Sequence, residues 1–320
     1  MTAKRNIPWL AVQCALLALV AFAIGVVFSL YVNPEVTFWK SAVEHKVRVL
    51  KTVQSENPAA NLFVGGSSTA FGIDAAALSA NGYPSVNLGL PAGAGLQAIL
   101  GIAATKARPG DTVFACLEPG ILVGEHTGSA LGTQIARATS MPEILSWADP
   151  QPSPWTTFAG LSDLRPGINN LLVFALKKAA GKPLYRYSPE DLRAGGLIAT
   201  DVRNPLHHKS TSGKLPFSEH SKEILKKLAA LSKVKGFSVY YLLPWEFVLA
   251  ENAEAARAQN AEFLLEIAQC LPVAREPELG VWSDASLFSD SHQHLTEEGA
   301  RFRSLRLQES LKANLAKTPR

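Results

Sequence analysis

Three cysteines in 320 residues are too few for a disulfide framework. Cys14, Cys116 and Cys270 are expected as buried free thiols, since unpaired cysteine is among the most buried residue types; a Cys116–Cys270 bridge has nothing to support it. Charge is also scarce. The net charge is +4 and charged residues make up 18% of the chain, with no basic stripe interleaved with aromatics, which argues against nucleic-acid binding. No internal repeat or low-complexity segment is evident. No Gly-Lys-Ser/Thr ending follows the glycine-rich stretch at Gly65, so a phosphate-binding P-loop is excluded. Charge is missing altogether from Asn6 to Asn33.

That uncharged stretch is the first thing present. Ile7 to Val32 exceeds the ~20 apolar residues a helix needs to span a bilayer core. Trp9 and Tyr31 sit near its ends, where amphipathic rings favour the headgroup region. A cleaved signal peptide has an apolar region of only ~7–15 residues and a small-x-small site, which Ser29-Leu30-Tyr31 does not provide. An uncleaved anchor is therefore expected. Lys4 and Arg5 precede it, so the positive-inside rule puts the N-terminus in the cytoplasm and the rest of this single-pass protein outside. The expected organisation is a tip and anchor over 1–33, a juxtamembrane helix or stalk over 34–57, and a domain over 58–320. Val36, Trp39, Ala42, Val43 and Val47 fall loosely on one face of the stalk helix.

Strands and helices alternate in the domain. Leu62–Val64, Ser85–Leu88, Thr112–Leu117 and Phe237–Leu243 read as buried strands, and Leu271-Pro272-Val273 opens a short fifth. Helices are expected over 75–80, 96–108, 219–235 and 253–270, and from an N-cap at Thr296 to near the C-terminus. Such alternation predicts a three-layer α/β/α fold of flavodoxin-like type, with a parallel sheet of about five strands. Between about 120 and 216 prolines cluster and the pattern weakens, apart from one helix over 168–180. This insertion is expected to form a cap or rim over the carboxyl ends of the strands, where open α/β sheets bind ligands.

Two motifs carry chemistry. Gly65-Gly66-Ser67-Ser68-Thr69-Ala70-Phe71-Gly72 follows the first strand. It can present Ser68 on a tight turn, hydroxyl exposed, with backbone N–H groups near enough to stabilise an oxyanion. Asp290-Ser291-His292-Gln293-His294-Leu295 precedes the last helix. In it Asp290 can accept one imidazole N–H of His294 and fix its tautomer. The chain order Ser…Asp…His suits hydrolysis or acyl transfer on an α/β scaffold. His292 and His294 lack the acidic or cysteine cluster a metal would need, and His207-His208 reads as a solvated pair.

Together the motifs resemble the SGNH, or GDSL-type, hydrolase superfamily. Gly66 to Gly72 is similar to its first block, with Ser68 in the nucleophile position. Asn87-Leu88-Gly89-Leu90-Pro91-Ala92-Gly93 resembles the second block, so Gly89, Ala92 or Gly93 would supply an oxyanion donor beside the Ser68 N–H. Asp290 to His294 resembles the last block, followed by Leu-Thr-x-x-Gly-Ala. There are two departures. The Asp–His spacing is one residue longer than usual, and Leu117-Glu118-Pro119-Gly120 stands where the family carries an asparagine donor. The resemblance covers roughly 58–120 and 215–315. It implies a serine acyl esterase or O-acyltransferase that needs no cofactor or metal and acts on an acylated envelope glycan or a small acyl ester. Anchored relatives of this kind work beside a membrane-bound O-acyltransferase, which would be the partner. The missing asparagine leaves open a weak or inactive accessory protein of a polysaccharide acylation system. Asp201, Arg203 and Trp245 are loose candidates for substrate contacts.

Overall fold

A computed structural model describes residues 7–124, 129–148, 168–200, 217–274 and 276–315. The expectations for Lys4, Arg5, Asp201, Arg203, His207 and His208 lie outside the described residues. The first element is the helix Ile7–Val27, whose last turn loosens into a π turn, Phe28–Val32. Among the described residues it is the one helix long and apolar enough to cross a membrane. Leu16, Leu17, Leu19 and Ile24 stand exposed along it. The helix stops at Asn33-Pro34 because proline cannot extend the hydrogen-bond ladder but is well suited to begin a new helix. Asn33 is the N-cap, its side chain accepting the Glu35 N–H at 3.0 Å.

The new helix, Pro34–Glu56, is not a free stalk. Val36, Trp39, Ala42, Val43 and Leu50 are buried in the main core. Val36, Trp39, Val43 and Leu50 recur at steps of three, four and seven, which gives one apolar stripe facing the sheet.

Five parallel strands form the sheet in the order β2-β1-β3-β4-β6. They are β1 Asn61–Gly65, β2 Ser85–Asn87, β3 Thr112–Cys116, β4 Ser238–Leu242 and β6 Val273–Ala274. Side chains alternate between two cores, as the two-residue period of a strand requires. Leu62, Val64, Val113, Ala115 and Tyr241 face the larger one, which Pro34–Glu56, Gly95–Lys106 and Glu219–Lys235 cover. Phe63, Phe114, Cys116 and Leu242 face the other, which is closed by Leu78 of Ala75–Ala80 and by Leu307 and Leu311 of Glu297–Leu315. Burial on both faces is why these strands read as continuous apolar runs rather than alternating ones.

Part of the 120–216 insertion belongs to the core and not to a rim. The helix Ala130–Ala138, capped by Ser129, buries Leu131, Ile135 and Ala136. Its apolar face spends itself against the Gly95–Lys106 and Pro34–Glu56 helices. A second described stretch returns along the Pro34–Glu56 helix. Trp39 Nε1 donates to Tyr185 Oη at 3.1 Å, and Ile198 N donates to Ala70 O at 2.9 Å, directly behind the Ser68 turn. A two-residue parallel pair, β5 Glu246–Phe247 with β7 Val281–Trp282, was not expected. Two residues are too short to leave a period. Cys116 is buried, its thiol pushed up to about 12 by burial, whereas Cys270 is only half-buried and Cys14 is exposed; all three are free thiols.

Candidate active site

The Ser68 turn is built by close approach. Any side chain at Gly65 would collide with Cys116 O and Thr69 Oγ1, and one at Gly89 would collide with Ala70 N. Glycine at both positions lets β1, β3 and the end of β2 converge on one helical turn, Ser67–Ala70. Thr69 Oγ1 then donates to Cys116 O at 2.8 Å. Asn87 Nδ2 donates to Thr69 O and Ile73 O, both at 2.8 Å. Behind Asn87 lies Lys46, fully buried. Its ammonium reaches Asn87 O at 3.1 Å, Asn87 Oδ1 at 3.3 Å and Gly196 O. Three carbonyl oxygens match the three donors of an ammonium, and no carboxylate among the described residues pairs with it. Burial pushes the Lys46 pKa down to about 7.

Ser68 does not stand exposed as expected. It is buried, and its hydroxyl finds no hydrogen-bond partner among the described residues. The segment that donates to Ala70 O covers the turn on one side, and Glu118 closes it on another. Among the described residues, Ser68 Oγ makes no hydrogen bond to His294.

Asp290 and His294 do come together. Phe288 and Leu295 pair as an antiparallel bridge, and Ser289 N donates to His294 O at 2.8 Å. His294 N donates to Ser291 Oγ at 3.1 Å inside this closed loop. The loop absorbs the extra residue in the Asp–His spacing. His294 Nδ1 lies 2.7 Å from Asp290 Oδ1. An ionised carboxylate only accepts, so Nδ1 carries a proton, and in the tautomer this selects Nε2 holds the lone pair. Asp290 Oδ2 accepts from Arg186 at 2.6 Å and from Tyr187 Oη at 2.8 Å. Burial alone would raise the Asp290 pKa. The hydrogen bond and charge of His294, with Tyr187 and Arg186, outweigh burial and hold it at about 2. Tyr187, half-buried and beside that carboxylate, is pushed upward and stays a donor. Phe71, three residues beyond Ser68, stacks on the His294 ring with centroids 4.4 Å apart. That ring contact places the dyad beside the serine turn.

The expected oxyanion donors divide. Ser68 N donates to Glu118 Oε1 at 2.8 Å and Gly66 N to Glu118 Oε2 at 3.2 Å, so the Ser68 N–H is already spent. Gly89 N is spent too, on Asn87 Oδ1 at 3.0 Å. Ala92 and Gly93 are exposed in a short 3₁₀ turn, and no described residue accepts from their N–H groups. Trp245 is a core residue. Its indole N–H donates to Glu276 Oε1 at 3.0 Å and its ring stacks on Trp282.

No family model and no curated protein matches this chain. What the site is must come from its own geometry.

Glu118 stands where a lost amide donor was expected, and its carboxylate is an acceptor that fastens the turn. Glu118→Ala leaves two buried N–H groups without an acceptor. It is expected to cost about 2–3 kcal/mol of stability in urea unfolding. Glu118→Gln, which keeps one acceptor oxygen, should cost less. Equal stability of all three proteins would remove Glu118 from this role.

Proposed function

We propose that the chain is a membrane-anchored serine acyl-ester hydrolase or O-acyltransferase of SGNH type. The strand order β2-β1-β3-β4-β6 supports a flavodoxin-like reading, since it is the 2-1-3-4-5 order of that doubly wound sheet. In such sheets ligands bind outside the carboxyl ends of the strands, and Ser68 follows β1 at that end. The observation that carries the reading is the Asp290–His294 pair, 2.7 Å apart and stacked through Phe71 against the Ser68 turn.

Ser68 Oγ attacks the acyl carbonyl carbon while His294 Nε2 takes the hydroxyl proton. The carbonyl oxygen becomes an oxyanion, for which the free N–H groups of Ala92 and Gly93 are the candidate donors. His294 returns the proton to the leaving oxygen as the C–O bond breaks, leaving an acyl-serine. Water or a sugar hydroxyl then attacks that ester by the same route. Asp290 orients His294 and stabilises its cation. Catalytic hydrogen bonds often tighten only when substrate is bound, so the proposal assigns the Ser68–His294 hydrogen bond to the substrate complex. The apolar first helix and the paired Lys4 and Arg5 before it support a domain outside the cytoplasm. In this proposal the domain acts there on an envelope glycan, beside a membrane-bound acyltransferase.

One observation favours a second reading. Glu118 holds the Ser68 N–H that a hydrolase of this type would use, which suits a binding or accessory role on the same scaffold. Labelling separates the two. A serine-directed fluorophosphonate should phosphonylate Ser68 in the wild-type protein, located by mass spectrometry, and leave Ser68→Ala unlabelled. No adduct on Ser68 under conditions that label an ordinary serine esterase would favour the accessory reading.

A further inference from the structure

A cavity of about 680 Å³ lies where the apolar helix ends. That is within the roughly 300–1,000 Å³ of small-ligand pockets. Phe28, Tyr31 and Val32 of the apolar helix form one wall, and Phe38 of the following helix adds to it. Phe174 and Ala175 of the helix Ile168–Ala179 face them. The wall is apolar even where its residues are not. Thr37 turns its hydroxyl back to Asn33 O and Ser41 to Thr37 O, each on its own helix. Among the described residues, Lys178 is the one charged residue in the lining. Tyr187, whose hydroxyl donates to Asp290, also lines it.

The helix Ile168–Ala179 gives the cavity its setting. Leu172 and Leu176 are each 70% exposed, while Lys177 and Lys178 close its last turn. An apolar outer face with basic residues at one end suits a helix lying in a bilayer interface. Its neighbour, across the cavity, is the end of the helix long enough to span that bilayer. The cavity is therefore open to acyl chains by position and suited to them by lining.

We propose that this cavity binds one acyl chain of an anionic phospholipid, with Lys178 at the rim meeting the lipid phosphate. The lipid comes from the leaflet that Tyr31 reaches. Binding stands apart from turnover: it requires the cavity and not Ser68.

Full-length protein in phosphatidylcholine nanodiscs, doped with phosphatidylglycerol bearing a diazirine on its acyl chain, tests this. After irradiation and digestion, adducts should concentrate on peptides holding Phe38 and Phe174–Tyr185. They should saturate, and unlabelled phosphatidylglycerol should displace them. Ala175→Trp fills the cavity from an exposed position and should cut these adducts about tenfold, leaving those on residues 8–27 unchanged. Lys178→Gln should remove the preference for phosphatidylglycerol over a matching phosphatidylcholine probe. Adducts that never saturate and follow the apolar helix alone would overturn the site, as would undiminished cavity labelling in a folded Ala175→Trp protein. If that variant melts early, displacement by unlabelled lipid decides. An unchanged lipid preference in Lys178→Gln would overturn the phosphate contact.

Discussion

Asp290→Asn should lower ester turnover by about 10⁴-fold without unfolding the protein. The size follows from hydrogen-bond direction. Arg186 and Tyr187 both donate to Oδ2. In the variant they select the amide oxygen for that position and turn the amide NH₂ toward His294 Nδ1. Nδ1 must then accept, so the ring proton moves to Nε2, the nitrogen that has to take the serine proton. The geometry survives and the tautomer is wrong. Turnover of p-nitrophenyl acetate by the two proteins measures the effect, and a loss smaller than tenfold would remove Asp290 from the mechanism. Stability supplies an independent readout. The native Asp290 pKa is held at about 2, below the unfolded value near 3.9. Its stabilising contribution is fully present above about pH 4 and is lost as pH falls through 2. Asp290→Asn should remove that part of the acid dependence.

Lys46→Met should change the alkaline dependence of stability by several kcal/mol. The native pKa is pushed down to about 7, whereas the unfolded chain keeps a value near 10.4. Between these values the unfolded state binds more protons, so the native state gains stability as pH rises from 7 to about 10. At about 1.4 kcal/mol for each pH unit, the window is worth on the order of 3–5 kcal/mol. Below pH 7 both states carry the proton and the slope disappears. Methionine has no proton to lose. Urea unfolding of both proteins in detergent micelles should show the variant's relative stability greatest near pH 7 and falling toward pH 10. A flat difference would mean that the carbonyls of Asn87 and Gly196 keep Lys46 protonated throughout.

Lys46 also marks where the sequence was legible and where it was misread. Val36, Trp39, Val43, Lys46 and Leu50 follow one helical stripe, so the lysine sat visibly on the core face. Reading only apolar letters passed over it. The sheet was easier. Strands buried on both faces are apolar at every position, and Leu62–Val64, Val113–Cys116 and Val239–Leu242 could hardly be anything else. The Asp290–His294 pair was legible because only three residues separate them in one loop. Arg186 and Tyr187 were not, since their partner lies more than a hundred residues away and only the fold joins them. They stand in an aromatic and basic run, Tyr185-Arg186-Tyr187, inside a proline-rich stretch, which is the one local hint. Glu118 was read for the donor it lacks. Its two accepted N–H bonds depend on how closely β1 and β3 end together, and no spacing reveals that. Phe71 belongs to the serine motif in sequence, while its stacking on His294 is a purely tertiary fact.

The joint at Asn33-Pro34 has a spatial consequence. One residue separates the end of the apolar helix from a helix that is itself part of the core. With the first helix in a bilayer, the domain has no tether to pay out. The Ser68 turn and the Asp290–His294 pair are held at one height, like a tool bolted to a bench. Such a protein cannot search the space around it. It works only on what is brought to that height, by diffusion in the membrane plane or by a neighbour that delivers it there.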